Sequence, residues 1–303
     1  MTVTREVDGV NLLDVLSVEG HRVPSDALSS ALRFKEASVP VETKVTTWNV
    51  NSLATRQARV ERWLAREQSD LLCLQEIKME SERFPHEAFA ALGYRAVVAG
   101  QKTYNGVAIL SRIDQPPAAD VQVGIPDFED PQQRAIAATY GELRVVNLYV
   151  VNGQAVGSEK FAYKLAWLEA ATAWLARERA KYERLVVVGD FNIAPTDEDV
   201  HDPTAWAGQV LCTEEERAFF RRWLDLGLVD TFRRFPQPAK TFSWWDYRNL
   251  AFPKNLGLRI DHVLASTPLA ERCTGVMIDR EERKGKGEDK PSDHAPVTAT
   301  FAL

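Results

Sequence analysis

The sequence predicts an α/β protein made of two packed β-sheets with helices on the outside. Three observations carry this expectation. Runs rich in Val, Ile and Leu recur along the chain, among them DLLCLQE (70–76), NGVAILSR (105–112) and LVVVG (185–189). Apolar residues at consecutive positions suit strands covered on both faces. Between residues 94 and 150 strand candidates follow one another with no helix between them, which a purely parallel, doubly wound sheet would not allow. Long amphipathic segments then alternate with strands.

In chain order, residues 1–40 read as an N-terminal extension, laid on the surface or partly loose. PSDALSSALRF can form a short helix with Pro24 near its start, and a wrongly chosen start codon is the other reading. The opening MTVTREVDGVNLLDV carries acids early and lacks a basic stretch followed by an apolar one, so no secretory signal is expected. Residues 41–303 read as a single domain. KVTTW is its first strand, and Arg56–Arg66 a helix with Val60, Trp63 and Leu64 on one face. DLLCLQE, YRAVVAG, NGVAILSR, RAIAATY and LRVVNLYV follow as strands. Ser158–Glu178 is the longest helix, its inner stripe drawn as Phe161, Leu165, Trp167 or Leu168, and Leu175. LVVVG is the next strand, EEERAFFRRWLDLG a helix stopped near Gly227, and RIDHVLAS, VMID and HAPVTATFA close the chain as strands.

Composition narrows the function classes. With 303 residues, 45% of them hydrophobic, the chain can bury a sizeable core. No apolar run reaches the roughly 18 residues of a membrane span. Three cysteines, far apart, fit neither a disulfide framework nor a zinc cluster and suit a reduced cytoplasm. A net charge of −6 argues against a passive coat for nucleic acid. It leaves open an enzyme whose acids gather around a metal.

Five strand ends carry acids or amides: Asn49 and Asn51, Glu76, Asp190 and Asn192, Asp261, and Asp293 beside His294. Side chains two apart on an extended strand share a face, so Asp190 and Asn192 converge if that geometry persists past Gly189. Each residue alone could simply form a turn. Together they offer oxygen donors suited to magnesium, with manganese able to substitute, and Glu76 is the best ligand among them.

The chain resembles the exonuclease III family of DNA-repair nucleases, within the endonuclease/exonuclease/phosphatase superfamily. The resemblance rests on TWNVNS, LCLQEIK, NGVAILSR, LYVVNG, VVVGDFNIAP with DVHDP, TFSWWDYR, NLGLRIDHVLAS and KPSDHAPV, in the family's order from about residue 44 to the end. It implies a four-layered α/β sandwich, two central mixed β-sheets flanked by helices. It also implies a monomeric, cytoplasmic enzyme (nucleoid-associated if bacterial) that cleaves double-stranded DNA 5′ to abasic sites and trims or unblocks 3′ ends. Relatives with the same acidic core act on inositol phosphates, sphingomyelin or poly(A), so a non-DNA substrate is the alternative.

The resemblance also implies roles. Asp190 orients and deprotonates water, and Asn192 holds substrate oxygens or that carboxylate. Asn49 steadies the metal's water shell or Glu76, and Asp293 sits near the metal. Tyr149 points at the phosphate or the leaving oxygen. His294 meets a phosphate oxygen while Asp261 fixes its tautomer. Whether His294 or Asp190 is the base stays open. Asn51, Arg56, Lys78, Asn152, Lys160 and Arg259 are expected on the substrate, as is Lys164. A solvated surface charge is the alternative for Lys164 and Arg259. Trp244 and Trp245 could stack on the flipped sugar or fill the gap left by a missing base, with core packing competing for one of them. Two positions depart from the family: Ala54, where an arginine is usual, and Val151, where a proline is usual.

Overall fold

In the computed structural model, residues 42–285 and 289–303 are described; the extension expected over residues 1–40 lies outside them. The strands are β1 (Glu42–Asn49), β2 (Leu71–Gln75), β3 (Tyr94–Ala99), β4 (Val107–Arg112), β5 (Ala119–Val123), β6 (Ala135–Tyr140), β7 (Leu143–Tyr149), β8 (Arg184–Asp190), β9 (Leu228–Asp230), β10 (Asp261–Ser266), β11 (Cys273–Ile278) and β12 (Val297–Ala302). The helices are α1 (Leu53–Glu67), α2 (His86–Ala91), α3 (Glu159–Lys181), α4 (Pro203–Trp206), α5 (Glu214–Asp225) and α6 (Thr267–Ala270). One sheet runs β11-β12-β1-β2-β4-β3 and the other β5-β6-β7-β8-β10-β9. Each is mixed: β1 is parallel to β2 and antiparallel to β12, and β8 is parallel to β7 and antiparallel to β10.

The layering follows from strand period. Val45, Leu71, Cys73 and Ile109 of the first sheet meet Ile136, Val145, Val186 and Val188 of the second across the central core. Their neighbours Leu72 and Leu74 face outward under Val60, Trp63 and Leu64 of α1. On the other side Leu185 and Val187 face Trp167, Leu168, Trp174 and Leu175 of α3 and Phe220 and Trp223 of α5. LLCL and LVVV are therefore buried on both faces, which is why they show no alternation. Each such side chain contributes about 1.5–3 kcal/mol when fully buried. This is the four-layered arrangement the resemblance implies.

Local signals set the element ends. Ser158 caps α3 by accepting from the amide of Phe161 at 3.1 Å. Thr213 and Glu216 form a reciprocal capping box on α5. Gly189 has φ of +148°, and a Cβ there would lie 1.8 Å from the carbonyl oxygen of Leu148. Only glycine fits, because β7 and β8 approach too closely for a side chain. Five elements were not foreseen: the short helices α2, α4 and α6, the short β9, and the exposed edge strand β5, which has no apolar run. The inner stripe of α3 also differs. Leu165 is only half-buried, and Lys164 is wholly buried in its place. Among the described residues no helix is long and apolar enough to cross a membrane.

Candidate active site

The C-terminal ends of β1, β2 and β8 bring their polar residues together. Asn49 is fully buried, and its Nδ2 donates to Glu76 Oε1 at 2.8 Å and to Asp190 Oδ2 at 2.9 Å. One amide thus ties two carboxylates carried by different sheets. Asp190 is held again by Asn192, whose backbone N–H donates to Oδ1 at 2.9 Å and whose Nδ2 lies 3.2 Å from Oδ2. This convergence does not come from an extended strand. Asn192 is left-handed, with φ of 48°, so the chain turns back on Asp190. Glu76 and Lys78 are also left-handed, with φ of 52° and 53°, and Lys78 Nζ lies 2.9 Å from Glu76 Oε2. Left-handed Glu and Lys are uncommon and strained, and such residues concentrate at functional sites.

His294 enters from the turn before β12. Its backbone is anchored by Ser292 Oγ, which accepts the His294 N–H at 3.2 Å and donates to Asn49 O at 2.7 Å. Its Nδ1 lies 2.9 Å from Asp261 Oδ2, at the start of β10, and its Nε2 lies 3.8 Å from Asp190 Oδ2. Burial alone would lower the pKa of this imidazole, but Asp261 and Asp190 outweigh it and raise the value, which favours the cation. Burial pushes Asp190 the other way from an ordinary carboxylate, upward, against the pull of His294. Burial, with Glu76 and Asp190 nearby, keeps the Tyr149 phenol protonated. The Arg134 guanidinium lies over the Tyr149 ring, 4.7 Å from its centre.

Donor atoms of Glu76, Asp190 and His294 lie within 4.8 Å of one another, the spacing that a divalent cation needs. The two carboxylates suit a hard cation; the imidazole could join them only in its neutral form, which Asp261 and Asp190 disfavour. Asp293, expected near the metal, is not in this group. Its carboxylate accepts from Trp244 Nε1 and from Asn51 Nδ2, both at 3.0 Å. Those donors and His294 hold its pKa below the ordinary value even though burial, the largest influence, opposes them.

A cavity of about 310 Å³ opens over these groups. Glu76, Tyr149, Asn152, Asp190, Asn192, Trp244, Asp293 and His294 line it, and Trp206, Val210, Leu211 and Ile260 supply an apolar wall. That wall was not foreseen. Trp206 lies three residues past the quoted DVHDP stretch, and the Asp202–Pro203 helix start was the available signal.

Several expected substrate contacts are placed elsewhere. Arg259 is 2% exposed, with Nε 2.6 Å from Asp199 and Nη2 2.7 Å from Asp230, so no donor face reaches the pocket. Trp245 is fully buried, its Nε1 donating to Asn255 at 3.0 Å, so of the tryptophan pair only Trp244 meets the cavity. Arg56 is buried and donates to the Asn51 carbonyl and to Tyr247 Oη, bracing the site from behind. Lys164 is internal and paired with Glu216. Lys78 donates to Asn51 Oδ1 at 2.6 Å at the rim. Asn152 is exposed, and its Nδ2 donates to Asn192 Oδ1 at 3.0 Å. Lys160 is exposed beside a second, larger groove of about 740 Å³ that shares Asn152.

Beneath the site His262 is 1% exposed. Arg259 Nη1 lies 3.1 Å from its Nδ1 and can only donate, so Nε2 carries the proton and donates to Ile193 O at 3.0 Å. Burial, with Arg259 adding, pushes its pKa down to about 4, although Asp230 and Asp199 oppose. The native state therefore prefers the neutral ring, and its stability is full above the unfolded value of about 6.5 and falls as pH drops toward 4. By pH 5 the loss is about 2 kcal/mol. His294 and Asp190, whose pKa values are raised, act in the opposite sense over the same range, so the test is the difference between two proteins. Between pH 7.5 and 5 the unfolding free energy of the wild type should change by about 2 kcal/mol more in the destabilising direction than that of His262→Gln. Equal changes in both proteins would remove His262 as the cause.

Residues 46–294 match the Endonuclease/Exonuclease/phosphatase family. Exodeoxyribonuclease III of Haemophilus influenzae is 39% identical over 271 residues, covering 85% of this chain and 99% of that protein. The 3′ phosphatase NExo from Neisseria, solved with a product DNA hairpin, superposes with a TM-score of 0.82 at 46% identity. An AP endonuclease from Archaeoglobus fulgidus superposes with a TM-score of 0.80 at 36% identity. Each of these two structures covers 86% of this chain and is itself covered in full. The chain belongs to the Endonuclease/Exonuclease/phosphatase family, in its exonuclease III-like group.

Proposed function

We propose that this protein is a magnesium-dependent DNA phosphodiesterase, with manganese able to substitute, that cleaves on the 5′ side of abasic sites and clears blocked 3′ ends in base excision repair. The observation that carries the reading is the convergence of Glu76, Asp190 and the Asp261–His294 pair in one cavity with an apolar wall. A cation held by Glu76, with Asp190 in reach, would act as a Lewis acid on the phosphate. Asp190, its two oxygens aimed by Asn192 and Asn49, orients the attacking water and accepts its proton. His294, oriented by Asp261, offers positive charge to a phosphoryl oxygen as negative charge develops there. The neutral Tyr149 hydroxyl faces the same oxygens as a donor. Trp206, Leu211 and Trp244 form a surface for a deoxyribose that lacks its base or its 3′ neighbour.

The names of the relatives support DNA as substrate: one is an exodeoxyribonuclease, one a 3′ phosphatase solved with DNA, one an AP endonuclease. The test is product analysis on four labelled substrates: intact duplex, abasic duplex, 3′-phosphate duplex and RNA. Incision 5′ to the abasic site and loss of the 3′-phosphate are the expected products. Inactivity on all three DNAs, with hydrolysis of a small phosphodiester, would replace DNA by another substrate of the same superfamily.

A further inference from the structure

Lys164 looks in the sequence like a surface cation at the start of a helix, yet its side chain is 0% exposed. It projects from α3 into the space between the loop after β8 and the start of α5. Its three ammonium protons meet three acceptors: Glu216 Oε1 at 2.5 Å, Asn192 O at 2.7 Å and Asn152 O at 3.1 Å. A buried ion pair is seldom worth more than apolar packing of the same shape, so what it grips matters more than its energy.

It grips two walls of the cavity. On one side are the carbonyls of Asn152 and Asn192, whose side chains bond each other at 3.0 Å. Asn192 in turn supplies the N–H and amide contacts that aim both oxygens of Asp190. On the other side Glu216 Oε1 also accepts the Leu211 N–H at 3.0 Å, and Oε2 accepts from Thr213 N at 3.0 Å and Thr213 Oγ1 at 2.7 Å. Leu211 lines the cavity. The left-handed Asn192 backbone, which costs energy to hold, is thus pinned at its carbonyl by the lysine.

We propose that the buried Lys164–Glu216 pair is a positioning device that locks the Asp190–Asn192 turn and the Leu211 wall to each other, fixing the carboxylate relative to the sugar pocket. Neither residue lines the cavity, and the proposal deepens the function proposed above and rests on it. A misplacement of about 1 Å in an aimed catalytic group can cost about 10²-fold in rate.

The test removes both charges together, so that no unpaired ion is left buried. Lys164→Met/Glu216→Gln is expected to keep a melting temperature near that of the wild type. Its single-turnover rate should fall by about 10-fold or more, while duplex affinity in chelator changes little. Amide exchange at Asn192, whose N–H is bonded to Asp190, should speed up locally, with the central strands unchanged. A stable double variant with wild-type rate and wild-type exchange at Asn192 would overturn the proposal. If the double variant does not fold, Glu216→Gln alone decides. Faster Asn192 exchange and a slower rate support the pair, and wild-type values for both refute it. If the wild type cleaves no DNA, the functional reading fails separately, and the pair is judged on Asn192 exchange and on Mn2+ affinity measured by calorimetry.

Discussion

His294→Ala should lower single-turnover cleavage of an abasic duplex by about 10² or more, about 3 kcal/mol of lost transition-state stabilisation. The geometry gives the reason. The ring is pinned between Asp261, 2.9 Å from Nδ1, and the cavity, where Nε2 stands 3.8 Å from Asp190. Alanine removes a positive donor from a site shielded from water. Asp261→Asn leaves the ring in place but removes the carboxylate that selects its tautomer and charge, and it should also cost about 10²-fold. Because the two act as a unit, the double variant should lose far less than the product of the single losses. DNA binding in chelator should change much less than the rate. Strictly multiplicative losses would mean that the two residues act independently, despite their contact.

Glu76→Gln should raise the metal concentration needed for half-maximal rate by about 100-fold, since even outer partners of metal ligands cost about 10–100-fold when lost. Gln keeps the length and one oxygen but not the charge. Folding should be little affected, because Glu76 and Lys78 are 17% and 26% exposed and their ion pair contributes at most about 1 kcal/mol. Metal titrations of the rate and thermal melts of the same preparations separate the two effects. An unchanged metal requirement would take Glu76 out of the metal's reach.

Much of this arrangement was legible in the sequence because it depends on local pattern. Runs such as LLCL and LVVV, apolar at every position, read correctly as strands covered on both faces. What was not legible depends on distant partners. Arg259 stands two residues before Asp261 in sequence, but its carboxylates, Asp199 and Asp230, come from 60 and 29 residues away. Lys164 is internal because Glu216, 52 residues on, reaches it. Trp244 and Trp245 are adjacent yet point to opposite sides, one to the cavity and one to the core. Asp190 and Asn192 do converge, but through a left-handed turn that strand periodicity could not predict. Strand β5 escaped notice because an exposed edge needs no apolar run.

The proposed function requires that a divalent cation held by Glu76 and its neighbours drive hydrolysis of DNA in this cavity. The most direct measurement is single-turnover cleavage of a labelled abasic duplex by protein stripped of metal, in chelator and then with magnesium or manganese added back. No cleavage is expected in chelator, with recovery on adding either ion and incision on the 5′ side of the abasic site. Full activity in chelator, from protein shown by elemental analysis to be metal-free, would contradict it.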